Sequence, residues 1–210
     1  ILGHLDNGER VARLVGAAMQ LALPANSHLT GLFVVPAAPA KSPLLPMISG
    51  GAIQSALDAY RKTGTGIRKA LDAATDGQPV VAEWRLYDAK RPGYIEAGLT
   101  PARTADLVVT AQKESDWDYA DMFDIPDWLA MESGRPVLVV PKAGDMNSIG
   151  ERVLVACNNS RESTRAVFDA LPILAAATEV TIAEIPENDS QRAAAVSNVA
   201  DVVEWLHRHG

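Results

Sequence analysis

Residues able to do chemistry gather where apolar runs end. Ile1-Leu2-Gly3-His4-Leu5 is closed by Asp6, Asn7 and Gly8, and Val153-Leu154-Val155-Ala156-Cys157 is closed by Asn158, Asn159 and Ser160. A short polar side chain at a strand end caps the turn or helix that follows, and Asn7 and Ser160 are placed to do so. A second concentration is acidic: Glu114, Asp116, Asp118, Asp121, Asp124 and Asp127 fall in one stretch. Carboxylate oxygens suit hard divalent cations, but the stretch has no turn glycine and no closing Glu of the calcium-loop kind. It reads as a solvated loop anchored by Trp117, Tyr119, Phe123 and Trp128. His4 and His28 are isolated, and His207 and His209 stand at i, i+2, off a common helix face. No metal site is expected. The lone Cys157 reads as a small core hydrophobe. No nucleophile–base–orienter set stands out, so a non-enzyme is expected.

The elements that must position these residues come in two copies. Each strand above is followed by a helical pattern and a second apolar strand, Leu29–Val35 in the first copy and Val180–Ile185 in the second. Such self-similarity marks a repeated α/β module. In copy one, Val11, Leu14, Val15, Ala18, Met19 and Ala22 form an amphipathic stripe. A Pro-rich loop follows (Pro36, Pro39, Pro43, Pro46), then a helix over 52–74 and a strand over 80–86. Thr63-Gly64-Thr65-Gly66 predicts a local bend in that helix. Short helices near 94–99 and 128–132 precede strands at 106–110 and 136–140. Copy two gives a strand at 152–157, a helix at 160–176, a strand at 179–185 and a helix at 191–208. Alternating strands and helices predict a parallel sheet covered on both faces.

The chain has 210 residues and a net charge of −7. That balance argues against nucleic acid as a partner, which needs a basic face, and against an anionic membrane surface. No apolar run is long enough to span a bilayer and no secretory signal is visible, so a cytoplasmic location is expected. With Ile1 already inside a strand pattern, further residues upstream are expected.

The ordered pattern resembles the universal stress protein family in its tandem form. Ile1–Asp6 resembles the family's first strand with its terminal Asp. Ala102-Arg-Thr-Ala-Asp-Leu-Val-Val-Thr110 resembles its fourth strand, and Gly134-Arg-Pro-Val-Leu-Val-Val-Pro141 its fifth. Asn159 to Pro172, with its Ala-Leu-Pro ending, resembles the start of a second family domain, and Glu204–Gly210 the end of that domain's second helix. The resemblance implies an adenine nucleotide alpha hydrolase-like fold: an open parallel five-stranded sheet of order 3-2-1-4-5, plus a partial second copy. It implies domains at 1–142 and 151–210, joined by a linker at 143–150.

Ligands of such sheets bind at the switch point, beyond the carboxyl ends of the strands. By this resemblance Asp6, Asn7, Val34 and Thr110 surround the crevice, with Asp6 at the position that contacts adenosine. Relatives that bind ATP follow the fourth strand with a glycine loop that cradles phosphates. Here no Gly occurs between Gly98 and Gly134, and the acidic stretch stands in its place. Like charges at 4 Å repel by about 4 kcal/mol at an effective dielectric near 20. A first domain degenerate for ATP binding is therefore expected, with no cofactor. Ser49-Gly50-Gly51-Ala52-Ile53-Gln54-Ser55 resembles a pyrophosphate loop but follows the wrong strand, and it reads as a helix start. The expected function is that of a non-enzymatic stress-response protein. The alternatives are an ATP or AMP sensor whose site is completed beyond residue 210, and an adenine-nucleotide hydrolase. The resemblance also implies a homodimer through strand five; no protein partner is identified.

Overall fold

Apolar runs closed by turn residues become strands, and the stripes between them become helices lying on the sheet they cover. The computed structural model describes residues 1–22, 26–35, 50–88, 94–113, 125–144, 146, 148–186 and 188–209. The Pro-rich loop, the aromatic residues Trp117, Tyr119 and Phe123, and all of the acidic stretch but Asp127 lie outside the described residues. The chain divides into two compact units, Ile1–Asn147 and Ser148–Gly210.

In the first unit the order is β1 (Leu2–His4), α1 (Val11–Ala22), β2 (His28–Val35), α2 (Gly50–Thr75), β3 (Val81–Asp88), α3 (Tyr94–Ala102), β4 (Val108–Ala111), α4 (Ile125–Glu132) and β5 (Val137–Val140). The strands form one sheet of order β3-β2-β1-β4-β5, every neighbouring pair parallel. The chain thus reverses its winding between β1 and β4, where Leu2 stands opposite Thr30 on one side and Val108 on the other. The whole predicted stripe of α1 is buried. A second apolar cluster joins Leu2, Leu32 and Val108 to Leu99 of α3 and to Ile125 and Leu129 of α4.

Three local expectations need correction. The helix α2 continues from Gly50 to Thr75 through the four residues expected to bend. Gly64 serves close approach instead: a Cβ there would lie 2.8 Å from the ring of Phe33. That ring is buried and stacks 5.1 Å from Tyr60 and 6.0 Å from Trp84. The helix α4 begins at Ile125, not near Trp128: Ile125 and Pro126 are buried in its first turn, while Trp128 is 44% exposed. The strand β4 starts at Val108, after the Ala105 N–H closes a turn onto the Ala102 carbonyl.

The second unit runs β6 (Arg152–Ala156), α5 (Arg161–Leu174), β7 (Glu179–Ala183) and α6 (Arg192–His207), with β6 and β7 parallel. Its order of strand, helix, strand and helix is that of the first unit's β1, α1, β2 and α2, and one hydrogen bond at the strand ends corresponds. The Leu5 N–H donates to the Leu32 carbonyl at 2.8 Å, and the Cys157 N–H to the Ala183 carbonyl at 2.9 Å. Cys157 therefore matches Leu5, Asn158 matches Asp6, and Glu184 matches Phe33. The core here is thin: Val155, Val167 and Leu174 are buried, with Val153, Val180, Ile182 and Trp205 partly covered around them. Leu154 is 68% exposed on the other face of its strand. No helix among the described residues is long and apolar enough to cross a membrane.

Candidate functional site

The carboxyl ends of β1 and β4 frame the crevice. Asn7 caps the single 3-10 turn that leads into α1, its Oδ1 accepting the Glu9 N–H at 2.9 Å. That turn brings Arg10 back over Asp6. One Nη2 of Arg10 lies 3.0 Å from both Asp6 oxygens, and both side chains are largely sheltered, at 16% and 14% exposure. The other terminal nitrogen, Nη1, donates to the Gln112 carbonyl at 3.0 Å, just past the end of β4. Arg10 therefore bridges the switch point from one side to the other.

One turn further along α1, Arg13 works in the same way. Its Nε donates to the Pro141 carbonyl at 2.8 Å, and its Nη2 to the Ala143 and Gly144 carbonyls at 2.9 and 2.8 Å. Gln20 reaches the Met146 carbonyl from the same helix. Gln112 joins the two loops, its Oε1 accepting the Lys142 N–H at 3.2 Å. Such charge-assisted bonds to carbonyls hold loop backbone that carries no ladder partners.

Of the four residues expected around the crevice, Asp6 and Asn7 stand at its edge and are both engaged. Val34 and Thr110 lie within their strands at 1% and 2% exposure, so they offer almost no surface to a ligand. Sequence reasoning missed Arg10, Arg13 and Gln112. The spacing of Asp6 and Arg10, acid then base four residues on, was a visible signal of an ion pair. Beneath them His4 is 3% exposed, and burial pushes its imidazole pKa below the usual range. The Asp6 carboxylate works against that shift and the Arg10 guanidinium adds to it.

The matching position in the second unit holds no such bridge. Asn158 Oδ1 accepts the Ser160 N–H at 3.2 Å, and Ser160 caps α5 by accepting the Ser163 N–H at 3.1 Å. Cys157 is buried, and burial with the nearby Glu184 carboxylate raises its thiol pKa. His28 Nε2 lies 3.7 Å from Glu83, and His209 packs on Trp205. No cluster of three potential metal ligands occurs among the described residues.

An open parallel sheet of order 3-2-1-4-5 with its crevice between β1 and β4 defines the class of doubly wound α/β domains. One solved structure narrows it to the universal stress protein fold. A universal stress protein from Archaeoglobus fulgidus is 15% identical and matches 97% of this chain and 72% of its own, with a TM-score of 0.63. A universal stress protein in complex with cAMP is 22% identical over 68% of this chain and 95% of its own, with a TM-score of 0.43. A family member from Burkholderia pseudomallei is 21% identical over 67% and 94%, with a TM-score of 0.46. No protein-family model and no curated protein matches the sequence. The likeness at these identities is one of fold.

Proposed function

We propose that this chain is a non-enzymatic stress-response protein of the universal stress protein type, whose first nucleotide crevice is occupied by its own side chains. One observation carries this reading: Arg10 holds both oxygens of Asp6 and reaches across to the Gln112 carbonyl. A ligand that used Asp6 as an acceptor would have to displace a sheltered guanidinium, and breaking one partner from such a pair is costly. The glycine-free acidic sequence after β4 supports the same reading.

Calorimetry of the full chain with ATP and with adenosine tests it. Neither should bind with a dissociation constant at or below about 10 μM, roughly −7 kcal/mol. Tighter binding overturns the reading, and metal-dependent ATP turnover would move the chain to the hydrolases. Arg10→Ala should raise adenosine affinity several-fold by freeing Asp6, and the added substitution Asp6→Ala should cancel that gain.

We further propose that two copies associate through β5. This strand pairs with β4 alone among the described strands, it is wholly apolar, and Val139 is 41% exposed. Open apolar edges seek partners, and antiparallel pairing of two copies closes both. Val139→Lys should shift the protein toward monomer in analytical ultracentrifugation. A wild-type monomer at high micromolar concentration removes the idea.

A further inference from the structure

Between α5 and α6 of the second unit lies a groove of about 210 Å³. The matching space in the first unit is packed by Phe33, Ile67 and Leu71, each 1% exposed or less. In the second unit the position matching Phe33 is Glu184, one residue past the end of β7; it does not itself line the groove but is hydrogen-bonded to Asn198, which does. Asn159, Thr164, Asn198 and Asp201 line one part; Phe168 and Trp205, with ring centroids 4.3 Å apart, line another. No Lys, Arg or His lines it.

The hydrogen bonds give this groove a polarity. A carboxylate only accepts, so Asn198 must turn its NH2 group toward Glu184, where it donates to Oε1 at 3.4 Å. Its Oδ1 then faces Asn159, whose Nδ2 donates at 3.4 Å. The hydroxyls of Ser163 and Thr164 both donate to the Ser160 carbonyl, at 3.1 and 2.9 Å. Donors are thus turned inward while acceptors remain. The second oxygen of Glu184, Oε2, is enclosed and meets no donor among the described residues. A buried acceptor left without a donor is unfavourable, the more so when charged. Asp201 is the one carboxylate among the residues that line the groove.

We propose that this groove binds a small organic ammonium ion with an apolar body, such as a primary arylalkylamine. An ammonium group supplies three donors and a positive charge to a site rich in acceptors and free of cations. The apolar body packs on Val167, Phe168 and Trp205. The volume lies below the roughly 300–1,000 Å³ of pockets for drug-sized ligands, which limits the occupant to a small amine. A net charge of −7 on the whole chain favours the approach of a cation. This site is separate from the β1–β4 crevice, and its fate does not depend on the nucleotide reading.

The test titrates the full chain with 2-phenylethylamine, and with neutral 2-phenylethanol, by calorimetry and by amide chemical-shift mapping. Saturable binding of the amine is expected, with shifts centred on 157–164, 184 and 198–205. The alcohol should bind at least about 10-fold more weakly, or about 1.4 kcal/mol. Glu184→Gln and the rim variant Asp201→Asn should each weaken the amine several-fold. Asp201→Asn decides the matter if Glu184→Gln fails to fold. No saturation by about 10 mM amine, equal binding of the alcohol, shifts centred elsewhere, or undiminished affinity in Asp201→Asn would each overturn the proposal.

Discussion

At one matched position, where the Leu5 N–H and the Cys157 N–H meet the preceding carbonyl, the first unit places Phe33 and the second Glu184. Two residues past the matched strands, the first unit has Asp6 followed four residues later by Arg10, and the second has Asn158 followed four residues later by Glu162. The backbone register is common to both. The first unit uses it to stack Phe33 against Tyr60 and Trp84 and to tie the 3-10 turn and α1 to the ends of β4 and β5. The second unit has no ring at the matched position and, among the described residues, no such bridge; its rings Phe168 and Trp205 instead pair between α5 and α6, and its buried core residues are 5–9% exposed where many of the first are at 0–2%. A shared scaffold therefore says little about stability or ligands; the side chains at a few matched positions decide both.

The largest expected consequence is a difference in autonomy. Residues 1–147 alone should fold cooperatively. Residues 148–210 alone should be largely disordered by circular dichroism, because two parallel strands cover only one face. A unit near 60 residues also buries only about 60% of the surface its unfolded chain exposes. A cooperative thermal transition in the isolated 148–210 fragment would show that the thin core suffices, and would break the comparison.

A second test probes the aromatic cluster that the second unit lacks. Gly64→Ala brings a methyl group to within 2.8 Å of the Phe33 ring, which stacks on both Tyr60 and Trp84. Overpacking of this kind costs about 1–3 kcal/mol and outweighs the roughly 1 kcal/mol gained in helix propensity. Gly66, two residues on in the same helix, has nothing within 4 Å of its Cβ position. Gly66→Ala should stabilise by about 0.5–1 kcal/mol. Chemical denaturation of the two variants reads opposite signs if the cluster is as tight as described, and equal stabilisation would show that Phe33 yields.

These positions also mark what the sequence made legible. The stripe of α1 was readable because every residue needed for it lies within three turns. The strand order followed from the resemblance, and the matching of the copies from repeated apolar runs. Gly64 was read as a bend because its reason is Phe33, far away in the chain and on another element. The same limit hid the bridge: Asp6 and Arg10 have a spacing that suggests a pair, but the reach to the Gln112 carbonyl depends on β1 lying beside β4. Glu184 did break an apolar strand visibly. What it meant required knowing which residue of the first unit stands in its place.

The smallest expected effect separates the units by pH. His4 is buried beside Asp6 and Arg10, whereas its counterpart in the second unit is the exposed Ala156. Burial lowers the folded pKa of His4 from its ordinary value of 6.5. The unfolded chain then takes up a proton near pH 6.5 that the folded chain refuses. Stability is full above that value and declines as pH falls below it, until the folded pKa is reached. The slope for one such proton approaches about 1.4 kcal/mol per pH unit. His4→Leu should flatten the decline between about pH 6.5 and 5, above the range where paired carboxylates titrate. Measured by denaturation of the 1–147 fragment, the wild type should lose stability across this window and the variant should lose less. Parallel profiles for the two would mean that His4 accepts its proton without unfolding, and that the polar end of β1 is more open than its 3% exposure implies.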